Sequence, residues 1–315
     1  MFLGLGYSVR CGRWLIPRRV AVTAQAYIFL LLPLLTLLPA ALIGAPLTAS
    51  ENWLALVVVA VLPASITVSE GFTVIARGDR LSAKHGASLS TTIALVLTPL
   101  LLLLLLGIAP ELPGGGVAAI RGATYLGFET PLAYLGRVTR LIIAPAAIGQ
   151  AIGVLLRRRL GERNRRSASS GEVGARHGAY EGDAFYDSPG AEGVRTLNRI
   201  LALPLLFFAL APAGGSISSV TARALPLFGY VAIVQLVALA GSIVAASLLV
   251  GERPKRISFV FAVTQKSAVF GIPLVVILVQ AHPRAVTPLL LILFSYLWQL
   301  VLAGAMESFY TREDR

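Results

Sequence analysis

The chain has 315 residues, of which 56% are hydrophobic and 13% charged, and a mean hydropathy of +0.79. A soluble domain carries about 25% charged residues, so this composition excludes a protein surrounded by water and requires one that faces lipid. The net charge of +12 does not point to nucleic acid, because the basic residues lie in short connections between apolar spans, where the positive-inside rule puts them. The single cysteine, Cys11, excludes an intrachain disulfide.

A crossing of the hydrocarbon core takes about 20 apolar residues. In chain order the spans are Val20–Ala45, Trp53–Arg77, Ala83–Ala109, Pro131–Leu156, Leu197–Ala213, Leu225–Val250, Ile257–Gln280 and Ala285–Glu307. The fold class expected is therefore an all-α membrane protein with about eight transmembrane helices. Although Arg18 and Arg19 precede it, the first span exceeds the apolar run of a cleavable signal, about 7–15 residues, and is read as retained.

Alternate connections are basic. One side receives Arg10, Arg13, Arg18 and Arg19, then Arg77, Arg80 and Lys84, then the group from Arg157 to Arg199, then Arg253, Lys255 and Arg256, and finally Arg312 and Arg315. The other side receives Arg121, Arg223 and Arg284. Both termini are thus expected in the cytoplasm of a multi-pass protein of the cell membrane. The segment 157–195, rich in Ser, Gly and charge, is expected to be a disordered cytoplasmic loop.

Spans beginning near 20, 53 and 83 recur near 225, 257 and 285, an offset of about 202 to 205 residues, and the two trios start on opposite sides. This predicts an inverted-topology repeat, with a first repeat at 20–109 and a second at 225–307. The middle span of each trio is interrupted. The first runs from Pro63 through Ser65, Thr67 and Ser69 to Glu70-Gly71; the second runs Thr264-Gln265-Lys266-Ser267, then Gly271 and Pro273. Proline opens or kinks a helix, and an opened backbone at membrane depth requires surrounding protein or a wet cavity. Matching interruptions mark a midplane binding site.

The candidate substrate- or ion-binding residues are Ser65, Thr67, Ser69, Glu70, Thr73, Gln265, Lys266 and Ser267. Their hydroxyl and amide groups either line a cavity or bond back to their own helix carbonyls. Glu70 and Lys266 are costly inside a span, about 2.5–3.5 kcal/mol each, and are expected to pair at the crossing; alternatively the pair only pins two helices, or Glu70 is hydrated near the cytoplasmic end. The histidines His85, His177 and His282 lack neighbours at ligand spacing, so no metal site is expected. With no nucleophile elbow or phosphate loop, no enzyme is expected either.

The stretch from Leu62 to Thr73, with Ala76-Arg-Gly-Asp79 and Thr98-Pro99, resembles the first sequence block of the bile acid:sodium symporter superfamily. Gln265-Lys-Ser267 with Gly271-Ile-Pro-Leu274 resembles the second block, in its SBF-like branch, and Gly149-Gln150 before Arg157–Arg159 also fits. The resemblance implies that 1–315 is a single membrane transporter domain with two crossing broken helices, and that 131–156 and 197–213 supply panel-type helices. Phe2-Leu-Gly-Leu-Gly6 resembles the end of the family's second helix, so the expected fold is an N-terminally truncated one. The implied function is a secondary active, symporter-like carrier moving a small organic anion by alternating access, with sodium as a possible coupling ion and no other cofactor. The alternative is a non-transporting membrane regulator or assembly partner on a truncated transporter fold. By this alignment Phe261 stands at the sodium-binding carboxylate, and Ala83 and Ala87 at hydroxyl ligands. In the expected Glu70–Lys266 pair, the Lys266 ammonium would stand where a family member holds sodium.

Overall fold

A computed structural model describes residues 18–48, 50–108, 130–145, 147–149, 151, 217–279 and 286–312. The expected span Leu197–Ala213, the segment 157–195, Phe2–Gly6 and the last residues of Pro131–Leu156 lie outside the described residues. Within them the chain is all-helical, and four helices are long and apolar enough to cross a membrane: Arg19–Ile43, Arg80–Gly107, Leu225–Leu249 and Val286–Arg312.

Helix α1 (Arg18–Ala26) passes through a π turn, Tyr27–Leu31, into α2 (Leu32–Ile43). A short helix, α3 (Ala45–Thr48), leads to α4 (Ser50–Val61), α5 (Ile66–Ile75) and the long α6 (Arg80–Gly107). Helix α7 (Pro131–Val138) runs into a second π turn, Thr139–Ile143. The later trio is α8 (Ile217–Leu249), the pair α9 (Arg253–Thr264) and α10 (Ala268–Val279), and α11 (Val286–Arg312). Each trio is thus a long helical span, a broken helix and another long helix.

The innermost elements are the first halves of the two broken helices. Every residue from Trp53 to Leu62 is buried, as is every residue from Ile257 to Val263. A helix apolar on all sides belongs inside a bundle. Accordingly α4 packs against α11, α2 and α6, while α9 packs against α8, α6 and α5.

Pro63 disfavours helical backbone at Leu62 and offers no N–H, which ends α4. Both breaks are shorter than the sequence suggested. Glu70 and Gly71 are helical within α5, and Gly271 and Pro273 are helical within α10. Pro273 costs α10 only the bond that would reach the carbonyl of Val269. Gly271 is there for a different reason: a β-carbon would lie 2.9 Å from Leu62 Cδ2, so its absence lets α10 approach the first break.

The turn between α5 and α6 is tied to the start of α9. Gly78 N–H donates to Thr73 O (2.7 Å) and Arg77 N–H to Val74 O (3.1 Å), the paired bonds of a Schellman motif. Arg77 takes the left-handed position at φ 59°. Asp79 then caps α6, accepting from Leu81 N–H (3.1 Å) and Ser82 Oγ (2.5 Å). Its N–H donates to Pro254 O (3.0 Å), and Ser258 Oγ donates to its carbonyl (2.7 Å). With Arg253 Nη2 donating to Tyr310 O (2.9 Å), the ends bearing Arg80, Arg253 and Arg312 gather at one end of the bundle.

Candidate functional site: the crossing of two broken helices

The unwound residues of the two breaks bond to each other. Ala64 and Lys266 form an antiparallel bridge; Ser65 N–H donates to Gln265 O (2.6 Å), and Ser267 N–H donates to Pro63 O (2.9 Å). Two strands one residue long would not persist in water. Here they supply partners for backbone groups that burial would otherwise strand.

Side chains from flanking helices complete the set. Ser90 Oγ accepts from Ala64 N–H (3.0 Å), Thr91 Oγ1 donates to Ala64 O (3.3 Å), and Thr98 Oγ1 donates to Val61 O (2.9 Å). From α11, Gln299 Oε1 accepts from Lys266 N–H (2.8 Å). The chain was expected to use its hydroxyl groups either on a cavity or on its own helices. At Ser90 and Thr98 a third use wins: they satisfy the break of a neighbouring helix.

Lys266 is buried, 7% exposed. Its Nζ donates to the carbonyls of Leu62 (2.6 Å), Ile28 (3.3 Å) and Ala60 (3.4 Å). Leu62 and Ala60 lie at the C-terminal end of α4, where aligned peptide dipoles gather partial negative charge. Ile28 belongs to the π turn of the first span, and π turns shift carbonyls out of the regular ladder. Phenol groups fix the neighbourhood: Tyr27 Oη donates to Ala238 O on α8, and Tyr230 Oη donates to Thr36 O (2.5 Å).

The expected Glu70–Lys266 ion pair is not formed. Glu70 Oε1 instead accepts from Arg80 Nε at 2.6 Å, with its side chain 19% exposed. Glu70 lies five residues beyond Ser65, about 7 Å along a helix, so α5 carries it away from the crossing towards the end where α6 begins.

The other candidates divide in the same way. Ser65, Gln265 and Ser267 sit with Lys266 at the crossing; Ser267 Oγ also accepts from Phe270 N–H (3.2 Å) and so caps α10. On α5, Thr67 is exposed, Ser69 Oγ donates to Phe261 O (2.9 Å), and Thr73 Oγ1 is fully buried with no hydrogen-bond partner. Ser69 thus ties α5 to α9. Phe261 stacks on Phe72 with centroids 6.0 Å apart and meets Tyr310 edge-on, and Ala83 and Ala87 are fully buried. Phe261, Ala83 and Ala87, which the resemblance aligns with sodium ligands, therefore take part in apolar packing.

A cavity of about 40 Å³ opens beside the crossing, lined by Thr36, Gln235, Thr264, Gln265, Lys266 and Gln299 among apolar side chains. Since one water needs about 10–15 Å³ by this measure, the volume suits a few waters or a small ion. Gln235 Oε1 and Gln265 Oε1 are buried without hydrogen-bond partners. Gln235 and Gln299 escaped the sequence reading, although the signal was there: each is an amide inside an apolar span, where polar groups glue helices together.

Residues 14–312 match the SBF-like CPA transporter family (DUF4137), and the chain belongs to that family. The chain is also similar to the uncharacterized protein PA2026 of Pseudomonas aeruginosa, with 34% identity over 151 residues. That stretch is 47% of this chain and 39% of the relative's length.

Proposed function

We propose that this member of the SBF-like CPA transporter family is a multi-pass secondary transporter that carries a small organic anion by alternating access. The observation that carries the proposal is the crossing itself. Two antiparallel breaks meet inside the bundle, bond to each other, and border a cavity whose one charged lining residue, among those described, is Lys266.

The electrostatics support an anion. Four half-helix ends meet at the crossing, two bringing partial negative charge and two partial positive charge. The Lys266 ammonium sits on the negative end of α4, so the positive N-terminal ends of α5 and α10 are left in excess. Ser65 makes no side-chain capping bond to α5, which leaves its first turn able to receive an anionic group. Growth of the 40 Å³ cavity is required for an organic substrate, and rocking of one helical group against the other would supply it. The matched trios support an inverted-topology repeat, with 20–109 and 225–307 as its halves. The basic end of the bundle supports a cytoplasmic location for both termini.

The test is uptake by purified protein in liposomes, using labelled carboxylates and sulfonates of graded size. Saturable uptake of at least one, competed by unlabelled compound, is expected. Folded, inserted protein that moves none of them would overturn the proposal and favour the non-transporting reading.

A further inference from the structure

An ammonium group has three N–H donors and no acceptor, and three backbone carbonyls meet that of Lys266. The match is to the charged group, since a neutral amine has only two N–H bonds to give. Ile28, Ala60 and Leu62 are each at most 2% exposed, so bulk solvent does not compete for these oxygens. Nor are they free to drift: Thr98 holds the neighbouring carbonyl of Val61, the paired breaks hold Pro63, and Tyr27 ties the π turn to α8. Backbone oxygens fixed around a monovalent cation are the means by which ion filters replace a hydration shell.

We infer that Lys266 is a tethered ion: its ammonium fills a monovalent-cation site built from the carbonyls of Ile28, Ala60 and Leu62, so the protein needs no dissolved sodium at its crossing. The statement about the site stands on its geometry. Its consequence for coupling rests on the transporter reading above. Removing the ammonium leaves converging carbonyl oxygens without a positive charge between them, and a free cation that binds there stabilises the fold by mass action. The N···O distances, 2.6–3.4 Å, suit ammonium better than the smaller sodium ion.

The experiment compares melting of the full chain in detergent for wild type, Lys266→Ala and Lys266→Met. Each is measured in ammonium, potassium, sodium and choline chloride at constant ionic strength. Wild type is expected to melt at one temperature in all four salts. Lys266→Ala is expected to melt lower in choline and to recover saturably in ammonium, with smaller recovery in potassium and sodium. Lys266→Met, whose methylenes refill the space, is expected to show no recovery. Lys266→Ala melting alike in all four salts would overturn the inference, as would saturable stabilisation of wild type by sodium. If Lys266→Ala is lost during extraction in choline, extraction in ammonium is expected to restore its yield, and failure in both salts counts against the site. Melting needs no substrate, so this outcome is independent of whether uptake is found.

Discussion

Two charged residues, Lys266 and Glu70, look like counterparts in the sequence, and the bundle treats them in opposite ways. Lys266 sits within the unwound backbone, is 7% exposed, and bonds to main-chain oxygens. Glu70 sits in regular helix, and its ion pair with Arg80 is partly exposed, at 19% and 40% of the two side chains. One charge is compensated by the fold's own dipoles, the other by a neighbouring side chain near a helix end. A break therefore organises only the few residues it unwinds. One and a half turns away, a polar residue answers to the next connection instead.

That contrast can be broken by mutation. Lys266→Met removes the charged donor from three buried carbonyls and should cost about 1.5–3 kcal/mol, the range for a hydrogen bond to a charged group. Denaturant or thermal unfolding in detergent checks it, and a loss below about 1 kcal/mol would make the crossing no more demanding than a surface pair. Gly78→Ala acts on the other region. Its β-carbon would lie 2.7 Å from Thr73 Cγ2 and 2.8 Å from Ile257 Cγ2, and overpacking of this kind costs about 1–3 kcal/mol. Unchanged melting would mean that the α5–α6 turn is not packed as tightly on α9 as the geometry states.

Gln299→Leu strands the Lys266 N–H that it now accepts and should cost about 1–3 kcal/mol, whereas Gln299→Glu should retain the bond and much of the stability. Glu70→Gln should change stability by less than about 1 kcal/mol, as expected for a part-exposed pair. A loss comparable to that of Lys266→Met would erase the distinction between the two sites.

Much of the architecture was legible because span length and proline are local signals with direct physical causes. The starts of α1, α6, α9 and α11 fall within four residues of the expected spans. The breaks were legible in position but not in extent. Pro63 marks an end that no helix survives, whereas Gly71, Gly271 and Pro273 sit in helices whose packing tolerates them. The pairing of Glu70 with Lys266 was misread because opposite charges at matched positions suggest a bond. Nothing in one dimension says that backbone oxygens will reach the ammonium first. Ile28 carried no signal at all, since a carbonyl released by a π turn is common to every residue type. Gln235 and Gln299 did carry one, and a search for amides within apolar spans would have found both.

The most direct test of how the crossing is held is a double-mutant cycle across Glu70 and Lys266, read by unfolding of detergent-solubilised protein. If Lys266 is compensated by backbone carbonyls alone, the effects of Glu70→Gln and Lys266→Met should add to within about 0.5 kcal/mol. Recovery of Lys266→Met stability by Glu70→Gln, by more than about 1 kcal/mol, would show that the carboxylate reaches the ammonium after all and would contradict the carbonyl-held crossing.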